Sequence, residues 1–406
     1  MTDNRLGRRF SLLWSASGVS NLGDGILFTA LPLLVVTLTS DPFQVALASF
    51  AATLPWFLFA LLSGALADRL DRRRVMVSVD LVRAGLVAVL ALTVAMGSVG
   101  LLVIYTVAFL LGAAETLFDT SSEAIIPALV PEGRLPDANG RLQGTVWVMS
   151  AFVGPPLGAL LFATIASLPF ALDAASFVIA ASLVAMVPGT YRAERLGPPR
   201  SLRQDVGEAM RWLYRKKVLF TLALMAGTIN LFGSAIFAVF VLFMTEEIGL
   251  SEVGYGLLLA LVGLAGLVGA LNSAKVIRRI GPGATIQTIV GVSAVLSLGM
   301  GLARSVVAVA IIAAGYGLFS TSWNVVSVTL RQELTPDQLR GRVASVARLL
   351  AWGTQPLGAL LGGIVARAFG LRAPFFLAFG AWLLLLALTS RVVNNRTIAS
   401  ARASSA

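Results

Sequence analysis

The sequence predicts an all-α integral membrane protein, with twelve transmembrane helices in two six-helix bundles related by a parallel repeat. Composition is the first observation behind this. The hydrophobic fraction is 57% and the charged fraction 13%, against about 45–50% and 25% in ordinary soluble domains, so these residues cannot build a water-facing surface. The second is periodicity of polarity, because apolar runs of about 20 residues, the length that crosses a bilayer, recur between polar breaks. The third is internal duplication. Pro156-Leu157-Gly158-Ala159-Leu160-Leu161 returns as Pro356-Leu357-Gly358-Ala359-Leu360-Leu361, Leu129-Val130-Pro131-Glu132 is echoed by Leu334-Thr335-Pro336-Asp337, and Gly64-Ala65-Leu66 by Gly269-Ala270-Leu271. Three matches in the same order, each displaced by roughly 200 residues, indicate a repeat of the same topology.

The twelve runs begin near Phe10, Gln44, Val75, Leu101, Leu142, Pro169, Leu219, Val253, Ala284, Val306, Ala344 and Pro374. The first is too long for the core of a signal peptide and no small-residue cleavage site follows it, so it is expected to stay as a span. Charge sets the orientation. With both termini in the cytoplasm, nearly every Lys and Arg falls in a cytoplasmic segment, and the opposite loops receive only Arg304, Arg367 and Arg372. The net charge of +11 is thus topological, placing the chain in the cytoplasmic membrane, and does not imply a nucleic-acid partner.

Residues 1–190 are expected to form the first bundle and 218–393 the second. Between them, 191–217 is polar and carries Pro198 and Pro199, while Leu202, Val206, Met210 and Leu213 share one helical face. That spacing predicts an amphipathic helix on the cytoplasmic membrane surface. The small, polar segment 394–406 is expected to be a mobile tail.

The chain has no Cys and no His, which excludes disulfides, thiolate sites and the usual zinc ligand sets; no metal or cofactor is expected, and no enzyme constellation can be assembled. Proton chemistry near neutrality therefore falls to carboxyl groups. Asp24 lies midway along the first span, where placing a charge in hydrocarbon costs at least about 2.5–3.5 kcal/mol. It must face a wet cavity, take a partner or hold a proton, the alternative role being a structural hydrogen bond between helices. Asn21 shares its face one turn earlier, and Gly23 and Gly25 leave room for close contact. On the fourth span Glu115, Asp119 and Glu123 recur every fourth residue and line one face. Glu115 is the deepest and Glu123 interfacial. Arg83 and Arg141 are available as partners, which keeps ion-pair bridging open as a role for Asp119, and Asp173 reads as a solvated start of the sixth span.

Gly64-Ala65-Leu66-Ala67-Asp68-Arg69-Leu70-Asp71-Arg72-Arg73 resembles the signature loop of the major facilitator superfamily, with Asp71 where the consensus has glycine. Together with Asp119, Pro127 and Pro131 and the long amphipathic connection, it is most similar to the macrolide-efflux and enterobactin-exporter branch. The resemblance implies a gating role for Gly64, Asp68, Arg69, Arg72 and Arg73, with Asp68 facing the start of the eleventh span near Arg342 and Ala344. Gly154-Pro155-Pro156-Leu157-Gly158 is similar to the glycine-proline signature of exporters in the superfamily, and physically it predicts a kinked, tightly packed crossing. The resemblance further implies a cavity lined by the first, fourth, seventh and tenth spans, hence by Asn21, Asp24, Asn230, Trp323 and Asn324.

The reading that follows is a secondary active exporter of a bulky amphipathic small molecule, such as a drug, macrolide or siderophore-like compound, exchanging it for protons by alternating access. Asp24, Glu115 and Asp119 are the proton-coupling candidates, and the partners are the substrate, protons and membrane lipid. No phosphate-binding Gly-x-x-x-x-Gly-Lys-Ser/Thr loop occurs, so ATP hydrolysis is not the expected driving force. The alternatives are a proton-coupled uptake symporter and a non-transporting receptor or lipid-handling protein on the same scaffold.

Overall fold

The computed structural model describes residues 6–67, 69–131, 133–192, 202–336 and 339–403, and every regular element among them is a helix. Among the described residues, eleven helices are long and apolar enough to cross a membrane, and a further apolar helix, Ala373–Thr389, is shorter at 17 residues. The chain is a multi-pass membrane protein. In order, the first six spans are Arg8–Leu38, Pro42–Ala67, Arg72–Ala95, Leu101–Leu129, Leu135–Thr164 and Leu168–Ala185. The remaining six are Lys217–Glu247, Glu252–Ile280, Pro282–Leu302, Val306–Leu334, Arg340–Phe369 and Ala373–Thr389. The fifth span starts a full two turns before Leu142, because Pro136 stands at the helix start and Asp137 in its first turn, both favourable at the positive end of a helix.

The chain divides into two compact units. The first comprises Met1–Ser40, Ala51–Gly197 and Leu250–Ala260, and the second Asp41–Phe50, Pro198–Gly249 and Leu261–Ala406. Relative to halves cut at 190 and 218, the starts of the second and eighth spans are exchanged. The reason is local packing. Gly363 of the eleventh span lies under Pro42, Phe43 and Ala46, and Gly256 of the eighth under Pro155 and Ala159, so each helix start is seated against glycine or alanine that lets backbones approach.

The duplicated motif marks equivalent helix crossings. A side chain on Gly158 would strike the Ile26 carbonyl of the first span, and one on Gly358 the Leu231 carbonyl of the seventh. Gly112 likewise lies on the Ala52 carbonyl and Gly317 on that of Val262, pairing the fourth span with the second and the tenth with the eighth. Without a hydrophobic driving force between helices in lipid, this close packing is what holds each unit together.

The amphipathic connection is a helix over Leu202–Arg215, with Ala209 and Leu213 buried in the apolar core of the second unit beside Leu219, Leu334 and Val343. Pro198 and Pro199 lie outside the described residues. The segment expected to be a mobile tail is corrected by the structure: Asn395–Ala403 is a helix, and Ile398 is buried in the same core. Asn395 accounts for this. Its Oδ1 accepts from the amides of Gly283 and Ala284 at 2.9 and 3.2 Å, and its Nδ2 donates to the Ile280 carbonyl at 2.8 Å. It thereby caps the ninth span across Gly281, whose φ of 84° is natural only for glycine.

Candidate functional site: one buried arginine among carboxyl groups

Within the first unit, the backbone around Asp24 is pressed from two sides. A Cβ on Gly25 would lie 2.7 Å from Ser150 Cα, one on Gly154 would lie 2.6 Å from Gly25 Cα, and one on Gly23 would run into Ser176 and Asp173. Glycine on both sides of the aspartate therefore lets the fifth and sixth spans close on the first. The fifth span adapts in a second way. Trp147–Val153 is wound as a π-helix, with the Gly154 amide bonded to the Met149 carbonyl. Pro155 and Pro156 follow, and prolines clash with the carbonyl one turn back and offer no N–H, so the preceding turn is widened.

Held there, Asp24 Oδ1 accepts from Arg83 Nη2 of the third span at 3.1 Å. Arg83 is also 3.8 Å from Asp80 Oδ1 one turn earlier on its own helix. Its guanidinium lies 4.3 Å from the ring centre of Phe177 and 5.6 Å from that of Phe118, cation–π contacts that are strongest where water is excluded. The arginine side chain is 5% exposed.

Among the described residues, Asp24 and Asp80 thus lie within 4 Å of one cation, and Glu115, Asp173 and Asp119 act on it electrostatically. They differ in access. Asp80 and Asp173 are fully buried, and neither oxygen of Asp80 meets a hydrogen-bond donor among the described residues. The Asp24 side chain is 29% exposed, Glu115 and Asp119 are half-buried, and Glu123 is exposed. Ser20 hydrogen-bonds Asp24, Trp56 hydrogen-bonds Glu115, and Ser176 Oγ lies 3.2 Å from Asp173 Oδ1.

Asp173 corrects its expected position. It belongs to the buried cluster and not to a solvated helix start, because the sixth span begins at Leu168 and Gly23 leaves space for the carboxyl group. Asp80 was not anticipated. Its three-residue spacing from Arg83 in mid-span, placing both on one helical face, is the signal that exposes such a pair. Arg83 pairs first with Asp24, ahead of the fourth-span acids, and Arg141 instead lies over the Trp14 ring at 5.8 Å.

Other expected positions lie apart from this cluster. Asn21 Nδ2 turns back to the Ser17 carbonyl at 2.8 Å. In the second unit, Asn230 Oδ1 accepts from Gln355 Nε2 at 2.8 Å. Trp323, expected to line a cavity, is 5% exposed and packed in the apolar core with Leu222 and Ile289; the neighbouring Asn324 is exposed. Of the loop after the second span, Asp68 lies outside the described residues. Arg69 is exposed, Arg72 donates to the Ala124 carbonyl at 2.8 Å, and Arg73 to that of Val187 at 2.7 Å. Asp71, off the consensus, caps the third span by accepting from the Arg74 amide and also accepts from the Tyr191 amide, each at 3.0 Å. Arg342 pairs with Glu208 at 2.9 Å.

A family model described as transmembrane secretion effector matches residues 7–405. The chain is 30% identical to the multidrug efflux pump Tap of Mycolicibacterium fortuitum over 411 residues, with 96% of each chain covered. It is 26% identical to macrolide efflux protein A of Streptococcus pyogenes, covering 95% of this chain and 96% of that one. Among solved structures, a bacterial homologue of the human lysosomal transporter Spinster superposes with a TM-score of 0.76 at 13% identity, covering 99% of both chains. With twelve helices in a duplicated arrangement and a match along almost its whole length, this chain belongs to the transmembrane secretion effector family of major facilitator transporters.

Proposed function

We propose that this protein is a proton-coupled exporter of a bulky amphipathic small molecule in the cytoplasmic membrane, with both termini cytoplasmic. The relatives' names, a multidrug pump and a macrolide efflux protein, support export and the substrate class. The observation that carries the coupling is the excess of five carboxyl groups over one arginine in the first unit. Carboxylates in excess of the cation they share repel one another, more strongly at a protein-like dielectric than in water, so protons make up the balance. Burial favours the neutral carboxyl group in general, and only groups that water reaches can exchange that proton during a cycle. Asp24 lies within a span beside the buried Arg83, and its side chain is still 29% exposed.

In this reading Asp24 alternates between ion pair and proton carrier. When it is ionised, Arg83 holds it; when it takes a proton, the bond at 3.1 Å weakens and the first and third spans are freed to shift. Glu115 and Asp119 accept or relay the proton on the half-buried face, whereas Asp80 and Asp173 keep the arginine in place. Asn21, Asn230 and Asn324 are polar positions for substrate, and the loop Gly64 to Arg73 is the gate. Residues 1–190 and 218–393 serve as the two moving halves.

Reconstitution tests this. Proteoliposomes with an imposed pH gradient should drive uptake of an amphipathic dye by inverted wild-type protein, and Asp24→Asn should lower that rate at least tenfold. Solute-dependent proton flux at the wild-type rate in Asp24→Asn protein would remove Asp24 from the coupling path.

A further inference from the structure

A separate polar feature lies in the second unit, where the surface helix Leu202–Arg215 runs into the seventh span. Arg215, Lys216 and Lys217 are consecutive cations at that junction. They line an open cavity of about 370 Å³ whose apolar floor includes Leu219 and Leu334, and whose lining also includes Ser400 and Ala401 of the terminal helix. None of the three cations has a carboxylate partner among the described residues. The acids nearby are already engaged: Glu333 by Arg402 at 2.6 Å, and Glu208 by Arg342 at 2.9 Å. Ser400 Oγ donates to the Arg396 carbonyl at 3.1 Å, so its hydroxyl is already engaged and the three cations are left as the charged groups of the lining. Lys216 is the N-cap of the seventh span and makes no side-chain cap bond, so the positive pole of that helix adds to the three charges.

We infer that this cavity binds the phosphodiester headgroup of an anionic phospholipid. The charge complement calls for a ligand with net negative charge, which excludes a zwitterionic headgroup as the preferred occupant. The floor calls for an apolar continuation, which a free phosphate lacks. Lys217 opens the apolar run of the seventh span, so the cations stand at the boundary where lipid phosphates lie. A lipid seated there bridges the surface helix and the terminal helix, joining the interdomain connection to the chain's end.

Native mass spectrometry of the full chain, stripped of lipid and titrated with phosphatidylglycerol or phosphatidylethanolamine, tests the inference. Wild-type protein should retain phosphatidylglycerol at least tenfold more tightly than phosphatidylethanolamine. Arg215→Gln/Lys216→Gln/Lys217→Gln should abolish that preference, and Lys275→Gln/Arg278→Gln/Arg279→Gln, which removes the same charge elsewhere in the unit, should leave it intact. A thermal melt of each variant checks that it is folded. Equal loss in both triple variants would mean a diffuse charge effect and overturn the site. So would displacement of the lipid by millimolar inorganic phosphate, which would identify a free anion as the occupant. Should the first triple variant fail to fold, Ser400→Trp fills the cavity without altering charge and should reduce retention to the same extent; wild-type retention in it would overturn the proposal.

Discussion

The two units repeat one scaffold and fill it with opposite chemistry. Gly158 rests on Ile26 in the first and Gly358 on Leu231 in the second, so the same crossing is built twice. Two residues before Ile26 stands Asp24; two before Leu231 stands Ile229. Where the first unit closes its fifth span on Gly25 by backbone contact, the second bridges Asn230 to Gln355 and Thr354 to the Gly227 carbonyl. Where the first holds Arg83 among carboxyl groups, the second has Trp382 donating to Ser297 at 3.0 Å, with Ser297 and Tyr316 sharing a bond of 2.5 Å. The turn into the third span is capped by Asp71, that into the ninth by Asn395. Packing is what a bundle needs to exist, and both units have it. The buried charge is extra, costly and, among the described residues, confined to one unit, which is why the proposed coupling is assigned there.

The strongest way to break this comparison is Arg83→Met. Removing one partner of a buried ion pair costs about 3–5 kcal/mol, because the other is left uncompensated. The variant should melt far below wild type and lose pH-driven transport, and adding Asp24→Leu should recover part of the stability and none of the coupling. A wild-type melting profile in Arg83→Met would mean that the cluster is not an electrostatic unit.

How much of this was legible beforehand follows from the physics of each part. Span number and duplication were readable because lipid demands long apolar runs and close crossings demand glycine, and both leave marks in sequence. Asp24 stood out since a lone acid in mid-span is conspicuous. Asp173 was misplaced because depth was judged from distance to the helix start, and the pocket that receives it is made by Gly23 on another span. Trp323 was placed by helix number alone, which fixes neither rotation nor burial. The terminal helix was missed because its order depends on Asn395 reaching the ninth span, a contact between residues more than one hundred positions apart.

Glycine substitutions sharpen the claim that the scaffold is shared. Gly158→Val and Gly358→Val each force a side chain into a backbone carbonyl of the neighbouring span, and overpacking of this kind typically costs about 1–3 kcal/mol. Thermal melts should show the two variants losing similar stability. A large loss from one and none from the other would mean that the repeated motif no longer carries equivalent packing.

Asp71→Asn probes the charged cap. Burial works to raise the Asp71 carboxyl, but the Arg74 and Tyr191 amide bonds and the charges of Arg73 and Arg74 outweigh it and hold the group below the usual carboxylate range. Its stabilisation is therefore present above the unfolded value, near pH 4, and is lost as pH falls through the lower folded value. Asparagine keeps one acceptor and cannot serve both amides, so about 1 kcal/mol should be lost at neutral pH. The difference from wild type should shrink as the pH is lowered below about 4. A difference that stays constant down to acid pH would mean that the carboxylate charge contributes nothing beyond the hydrogen bonds.

The smallest effect is expected from Trp382→Phe in the second unit. It deletes the indole N–H bonded to Ser297 and keeps the ring that packs on Phe232. Ser297 retains its bonds to Tyr316 and to the Ser293 carbonyl, so no buried group is stranded and the loss should be about 0.5–1.5 kcal/mol. The decisive reading is the pH profile of transport, which should keep its wild-type midpoint because no titrating group is touched. A shifted midpoint would mean that the second unit also bears on the proton, and the division of labour between the two units would fail at its neutral half.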